Sequence, residues 1–341
     1  MLHYSHYRGV RVSGLFLSLL TMVFISCDRG EAPTDQTSQS RETASQQRTK
    51  KIEVPVFNPD SSYAHIQTQV DFGPRIPGSS AHQQCATWLE EKFRSYGLAA
   101  SIQRGVATTY DRKRFNIMNV IASHKPDAPE RILLCAHWDT RPFADRDEGE
   151  NLNKPFDGAN DGASGVGVLL EIARLVASAD PAIGVDFILF DLEDYGSSDV
   201  DDSWCLGSQY WANNLHKPGY YARFGILLDM VGAAGATFPK EGTSRYFASG
   251  IVDRIWKTAD KLGYSDHFID RNSNPTTDDH LYVNRDANIP CVVIVHYDAI
   301  EGDYFPHHHR VTDNMDQIDK NTLKAVGETV LHVIFEEAAT L

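Results

Sequence analysis

Five short apolar runs, at residues 117–122, 132–136, 185–190, 225–228 and 291–295, constrain this chain more than any other feature. Their length and aliphatic content suit strands buried on both faces. Helical patterns lie between them. Residues 79–97 put Cys85, Trp88, Leu89 and Phe93 on one helical face, with Ser79 or Ser80 as cap and Gly97 as stop. Further helices are expected over 165–179 and 320–338. This alternation predicts an α/β fold: a doubly wound, mostly parallel or mixed central sheet with helices on both faces.

Composition sets the outer limits. With 42% hydrophobic and 23% charged residues the chain is ordinary globular protein, which excludes wholesale disorder. Its 341 residues carry 32 basic and 46 acidic side chains, a formal charge of 32 − 46 = −14. No nucleic-acid partner is expected, because neutralising phosphates takes a basic face that this balance lacks.

Residues 1–27 read as a lipoprotein-type signal peptide. Arg8 and Arg11 precede an apolar run at 14–26, too short for a spanning helix of about 20 residues. The run ends in Phe24-Ile25-Ser26-Cys27, which resembles a bacterial lipoprotein box with Cys27 as the acylated residue. An ordinary signal cut nearby, with Cys27 incidental, is the other reading. Residues 28–51 hold no aromatic and no branched aliphatic side chain, so they cannot bury enough surface to offset ordering and read as a disordered tether. The folded unit then spans 52–341. The expected place is outside the cytoplasm, as a periplasmic or cell-surface lipoprotein of a bacterium, with membrane contact only through Cys27. Cys85, Cys135, Cys205 and Cys291 remain, and a domain of this size does not require a disulfide between them.

Acids follow the strands. The run at 132–136 leads into His137 and Asp139, that at 185–190 into Asp191, Glu193 and Asp194, and that at 225–228 into Asp229. Ligands of open α/β sheets bind outside the carboxyl ends of strands, and charges gathered near a core must be paired. Together with the Gly-rich turn around Asp161 and the run His307-His308-His309, these carboxylates and imidazoles form a donor set without thiolate. That set suits a catalytic Zn2+ with an open position. No Lys follows the turn as a phosphate loop would demand.

These residues resemble a known group, the glutaminyl cyclases (glutaminyl-peptide cyclotransferases) of the zinc aminopeptidase-like fold, particularly bacterial exported ones. The matching segments are 72–82 (FGPRIPGSSAH), 136–145 (AHWDTRPFAD), 158–175 (GANDGASGVGVLLEIARL), 190–196 (FDLEDYG), 227–232 (LLDMVG), 278–280 (DDH) and 309–318 (HRVTDNMDQI). The resemblance spans roughly residues 60–335. It implies a zinc-dependent catalytic domain over 52–341 in which Asp161, Asp194 and His309 hold the zinc. It implies that Glu193 is the general acid/base, forming with Asp229 and Asp278 a hydrogen-bonded acidic cluster. The implied substrates are peptides or proteins with N-terminal Gln, cyclised to pyroglutamate with release of ammonia. Sharing of a proton between Asp229 and Asp278 would leave His137 without a partner and the chain with one zinc.

Departures from the group are Asp194 where Glu is frequent, His308 and Asp199 where pocket Trp residues stand in animal members, and Val166 at one position of an animal disulfide. The rival reading is a two-zinc aminopeptidase that hydrolyses N-terminal residues, with His137 and Asp229 as ligands of a second metal bridged by Asp161. A third class, an inactive tethered binding protein, conflicts with a competent residue at every site position.

Overall fold

The computed structural model describes residues 52–341, so the expectations for the signal segment, Cys27 and the tether lie outside the described residues. Seven helices and six main strands run in the order α1 (Pro59–Asp71), α2 (Ser80–Ser95), β1 (Ala99–Thr108), β2 (Arg114–His124), β3 (Arg131–His137), α3 (Ala163–Ala179), β4 (Gly184–Phe190), α4 (Leu206–Asn213), β5 (Gly225–Asp229), α5 (Gly242–Lys261), α6 (Asp279–Arg285), β6 (Cys291–Val295) and α7 (Lys320–Ala338). None of the described helices is long and apolar enough to cross a membrane.

The strands lie in the order β1-β2-β4-β3-β5-β6. β4, β3, β5 and β6 are parallel, while β2 joins β4 and β1 joins β2 antiparallel. The sheet is therefore mixed, as the apolar runs predict. Alternation along the strands divides the core in two. Ile132, Leu134, Phe187, Leu189, Ile226 and Val292 pack beneath α2, α3, α5 and α7. On the other face Leu133, Cys135, Ile188 and Leu227 meet Trp211 of α4 and Val283 of α6. The parallel strands bury every residue, whereas β1 alternates between partly covered and exposed positions at the sheet edge. Its mixed sequence carries no continuous apolar run, so it escapes a search for buried strands.

The expected boundaries are close. Ser79 caps α2 by accepting from the His82 amide, Asp319 caps α7, and β6 coincides with the run at 291–295. The four described cysteines are buried free thiols. α3 sits tightly on β5, where a Cβ on Gly165 would overlap the Leu228 carbonyl oxygen. This close approach sets the turn before α3 against the ends of β3 and β5. Gly165→Ala is therefore expected to cost about 1–3 kcal/mol through overpacking, read as a lower urea midpoint with an unchanged slope. A variant as stable as the parent would contradict this packing.

Candidate active site

Three parallel strands end side by side, and the chain leaving each one delivers a side chain to a single cleft. His137 closes β3, Asp229 closes β5, and Glu193 and Asp194 follow β4. Asp161 comes from the turn before α3, Asp278 caps α6, and His308 and His309 come from the loop after β6. The cleft has a volume of about 1060 Å³, with Glu193, Asp229, Asp278, Trp204, Tyr304 and His309 among its walls.

Asp161, Asp194 and His309 converge. His309 Nε2 lies 2.9 Å from Asp194 Oδ1 and 3.7 Å from Asp161 Oδ2. Asp161 Oδ2 is buried with no hydrogen-bond partner, an orphaned acceptor that a bound cation would satisfy. Donors on a tetrahedral zinc, with bonds of about 2.0–2.1 Å, stand roughly 3.3 Å apart, and the observed spacings bracket that value. The residues thus fit the metal.

His308 competes for the same place, since its Nε2 is 3.6 Å from Asp161 Oδ2. The hydrogen bonds on the opposite ring nitrogens separate the two histidines. His308 Nδ1 accepts from the Arg146 guanidinium at 2.8 Å, which leaves the proton of the neutral ring on Nε2. His309 Nδ1 faces the Asp145 carboxylate at 3.1 Å and donates to it, so the neutral ring carries its lone pair on Nε2. Burial and the neighbouring His309 hold His308 well below the usual imidazole range. For His309 burial acts downward, but Asp194 and Asp145 outweigh it and lift the ring to about 9. His307 instead bonds Thr312 Oγ1 at 2.7 Å.

Glu193 stands beside the ligand set. Burial, with Asp194 and Asp278 nearby, pushes its carboxyl well above the ordinary range. Burial and then Asp229 push Asp278 up to about 7. Each carboxylate of this cluster also has a partner outside it. Glu193 Oε1 accepts from the Cys205 thiol at 3.1 Å, Asp278 Oδ1 accepts from the Asp279 amide at 2.5 Å, and Asp229 Oδ1 is 3.2 Å from His137 Nε2. The same His137 Nε2 is 3.0 Å from Asp161 Oδ1. Burial lowers the His137 pKa, but Asp139, Asp161 and Asp229 raise it well above its usual value.

The supporting acids were not assigned from the sequence. Asp139 accepts the Glu193 and Asp194 amides at 3.1 and 3.3 Å. Asp313 accepts those of Asn160 and Asp161 at 2.8 and 3.0 Å, and Arg75 holds the Gly158 carbonyl at 2.7 Å. All three lie inside the matching segments, which is the only signal that marked Asp313 and Arg75, whereas Asp139 also stood out as an acid following a strand. His280, at the end of the 278–280 segment, pairs with Glu241 at 3.0 Å.

A mixed sheet with a carboxylate–imidazole metal site at its strand ends defines a zinc-exopeptidase type of architecture. The chain belongs to Peptidase family M28, whose model matches residues 119–334. It is 49% identical to the crystal structure of Bacteroides thetaiotaomicron glutaminyl cyclase bound to N-acetylhistamine, over 83% of this chain and 99% of that one, with a TM-score of 0.81. A Zn-dependent exopeptidase from Parabacteroides distasonis is 46% identical over 83% of this chain and 99% of its own, also at a TM-score of 0.81. The glutaminyl-peptide cyclotransferase of Bothrops jararaca is 25% identical, over 77% of this chain and 76% of that protein. The chain spans only 41% and 44% of the length of two other curated relatives, the alkaline phosphatase isozyme conversion protein of Escherichia coli and aminopeptidase YwaD of Bacillus subtilis.

The tautomers predict how zinc affects stability. Zinc added to chelated protein is expected to raise the melting temperature, and His308→Ala is expected to keep that increment whereas His309→Ala loses most of it. The opposite order would make His308 the ligand.

Proposed function

We propose that residues 52–341 form a zinc-dependent glutaminyl-peptide cyclotransferase, converting the N-terminal glutamine of peptides or proteins to pyroglutamate with release of ammonia. The observation that carries this reading is the likeness to a bacterial glutaminyl cyclase over almost the whole of that chain. In this reading Asp161, Asp194 and His309 hold one zinc ion. When bound, zinc supplies Lewis acidity toward the glutamine side-chain carbonyl.

The remaining chemistry falls to the side chains. The α-amine attacks the γ-carboxamide carbon of the same residue, so one C–N bond forms, the bond to the amide nitrogen breaks, and ammonia leaves. Glu193 takes a proton from the attacking amine and returns it to the departing nitrogen. Its raised pKa suits both tasks, because a base matched between carboxylate and ammonium can accept and release the same proton. Asp278 raises the Glu193 carboxyl and Asp229 raises that of Asp278, and with Glu193 they draw a cationic N-terminus into the cleft. Trp204 and Tyr304 line the cleft, and no water nucleophile is needed.

One observation favours the rival. His137, Asp161 and Asp229 offer donors close enough to hold a second ion, as a two-zinc aminopeptidase would require. Mass spectrometry separates the two. A Gln-initiated peptide is expected to become lighter by one ammonia with every residue retained, and release of a free amino acid would favour the aminopeptidase.

Glu193→Gln is expected to lower turnover by roughly 10²–10⁴-fold, the usual contribution of general acid–base catalysis, while zinc content stays near one per chain. Loss of the metal together with activity would make Glu193 a ligand. For residues 1–51 the proposal is export and acylation at Cys27, with a mature N-terminus at that residue. Cys27→Ser is expected to abolish partition into detergent, and a mature protein that starts beyond Cys27 without acyl mass would overturn it.

A further inference from the structure

Arg141 has no part in the chemistry above, yet it is buried at the edge of the cleft and touches the metal site at four points. Its backbone amide donates to Asp194 Oδ2 at 2.9 Å. Guanidinium Nη1 donates to the Asp194 carbonyl at 2.9 Å and to that of Gly196 at 3.1 Å. Nη2 donates to Asp145 Oδ2 at 2.5 Å. The plane of the group is held between the rings of Phe143 and Trp204, at 4.7 and 4.8 Å from their centroids.

These contacts close a ring. Asp145 uses its second oxygen to accept from His309 Nδ1 at 3.1 Å, and His309 Nε2 returns to Asp194 Oδ1 at 2.9 Å. The circuit therefore runs from Arg141 to Asp145, to His309, to Asp194 and back to Arg141. It joins two of the three proposed ligands, one from the chain after β4 and the other from the loop after β6, through a residue that follows β3.

We infer that Arg141 is the positioning residue of the metal site, fixing Asp194 directly and His309 through Asp145. This rests on the zinc reading of Asp161, Asp194 and His309, but not on the identity of the substrate. The shape of the side chain is what the task needs. A planar fork can hold a carbonyl with one nitrogen and a carboxylate with the other, while an ammonium offers a single point and cannot lie flat between two rings. Its charge also offsets the carboxylates beside it, Asp145 and Asp194. Partners that orient ligands in this way typically change metal affinity by 10–100-fold when removed.

The test is zinc affinity, measured by competition with a chelator on the folded protein. Arg141→Lys is expected to weaken zinc binding by roughly 10- to 100-fold and Asp145→Ala to weaken it similarly. Because both act through one circuit, the double variant should lose less than the product of the single losses. Turnover of Arg141→Lys should recover toward that of the parent at saturating zinc, since Glu193 is not one of its partners. A purely structural arginine would lower the melting temperature of the metal-free protein and leave the zinc affinity of the folded fraction unchanged, and that result would overturn the inference. So would strictly multiplicative losses in the double variant, which would mean that Arg141 and Asp145 act apart. Should Arg141→Lys fail to fold, Asp145→Ala alone decides: unchanged zinc affinity would break the circuit at His309. If zinc affinity responds as expected but no peptide is cyclised, the positioning role stands and the substrate reading fails.

Discussion

Carboxylates packed together out of water repel one another, and each must find a donor or a cation before the chain can fold around it. Asp139, Asp161, Asp194, Asp229, Asp278 and Asp279 are all buried in this protein, with exposures of 0% to 7%. Much of the architecture is arranged to satisfy them. Asp139 takes two amides from the chain after β4, Asp313 takes two from the turn before α3, and His137 stands between Asp161 and Asp229. Asp161 Oδ2 is among the acceptors left without a partner, and it faces the imidazoles of His308 and His309.

The same demand bends the backbone. Leu192, Cys205, Met230 and His309 adopt left-handed conformations with φ of 53°, 58°, 48° and 56°. Such residues cost of order 1–3 kcal/mol each and persist where the surroundings dictate them. Leu192 turns the chain so that Glu193 and Asp194 leave β4 with both amides on Asp139. Met230 ends β5 immediately after Asp229, and His309 turns its ring toward Asp194 while its neighbour His308 faces Arg146. The left-handed turn at Cys205 brings its thiol to Glu193, so the proposed proton shuttle is held by a side chain twelve positions further on.

The central sheet was legible because buried parallel strands are nearly uniform in apolar content, and β3, β4 and β6 start or stop within a residue of their apolar runs. The solvent-facing edge strand β1 was not, since an exposed strand has no such uniformity. Helix α5 is interrupted at Ala248, where the backbone leaves helical geometry, and a broken period is hard to recognise. At the site the side chains that carry chemistry stood out as acids after strands. The side chains that orient them did not, because Arg141 and Asp194 are 53 positions apart and His309 and Asp145 are 164 apart. Local pattern holds no trace of such pairs.

One ion held by Asp161, Asp194 and His309, with no second ion between His137, Asp161 and Asp229, is the claim on which the rest depends. Anomalous diffraction at the zinc edge from crystals of the zinc-loaded protein tests it most directly. The account predicts a single peak per chain, bonded to one oxygen of Asp161, one of Asp194 and Nε2 of His309. A second peak of comparable height between His137, Asp161 and Asp229, or a single peak bonded to His308, would contradict it.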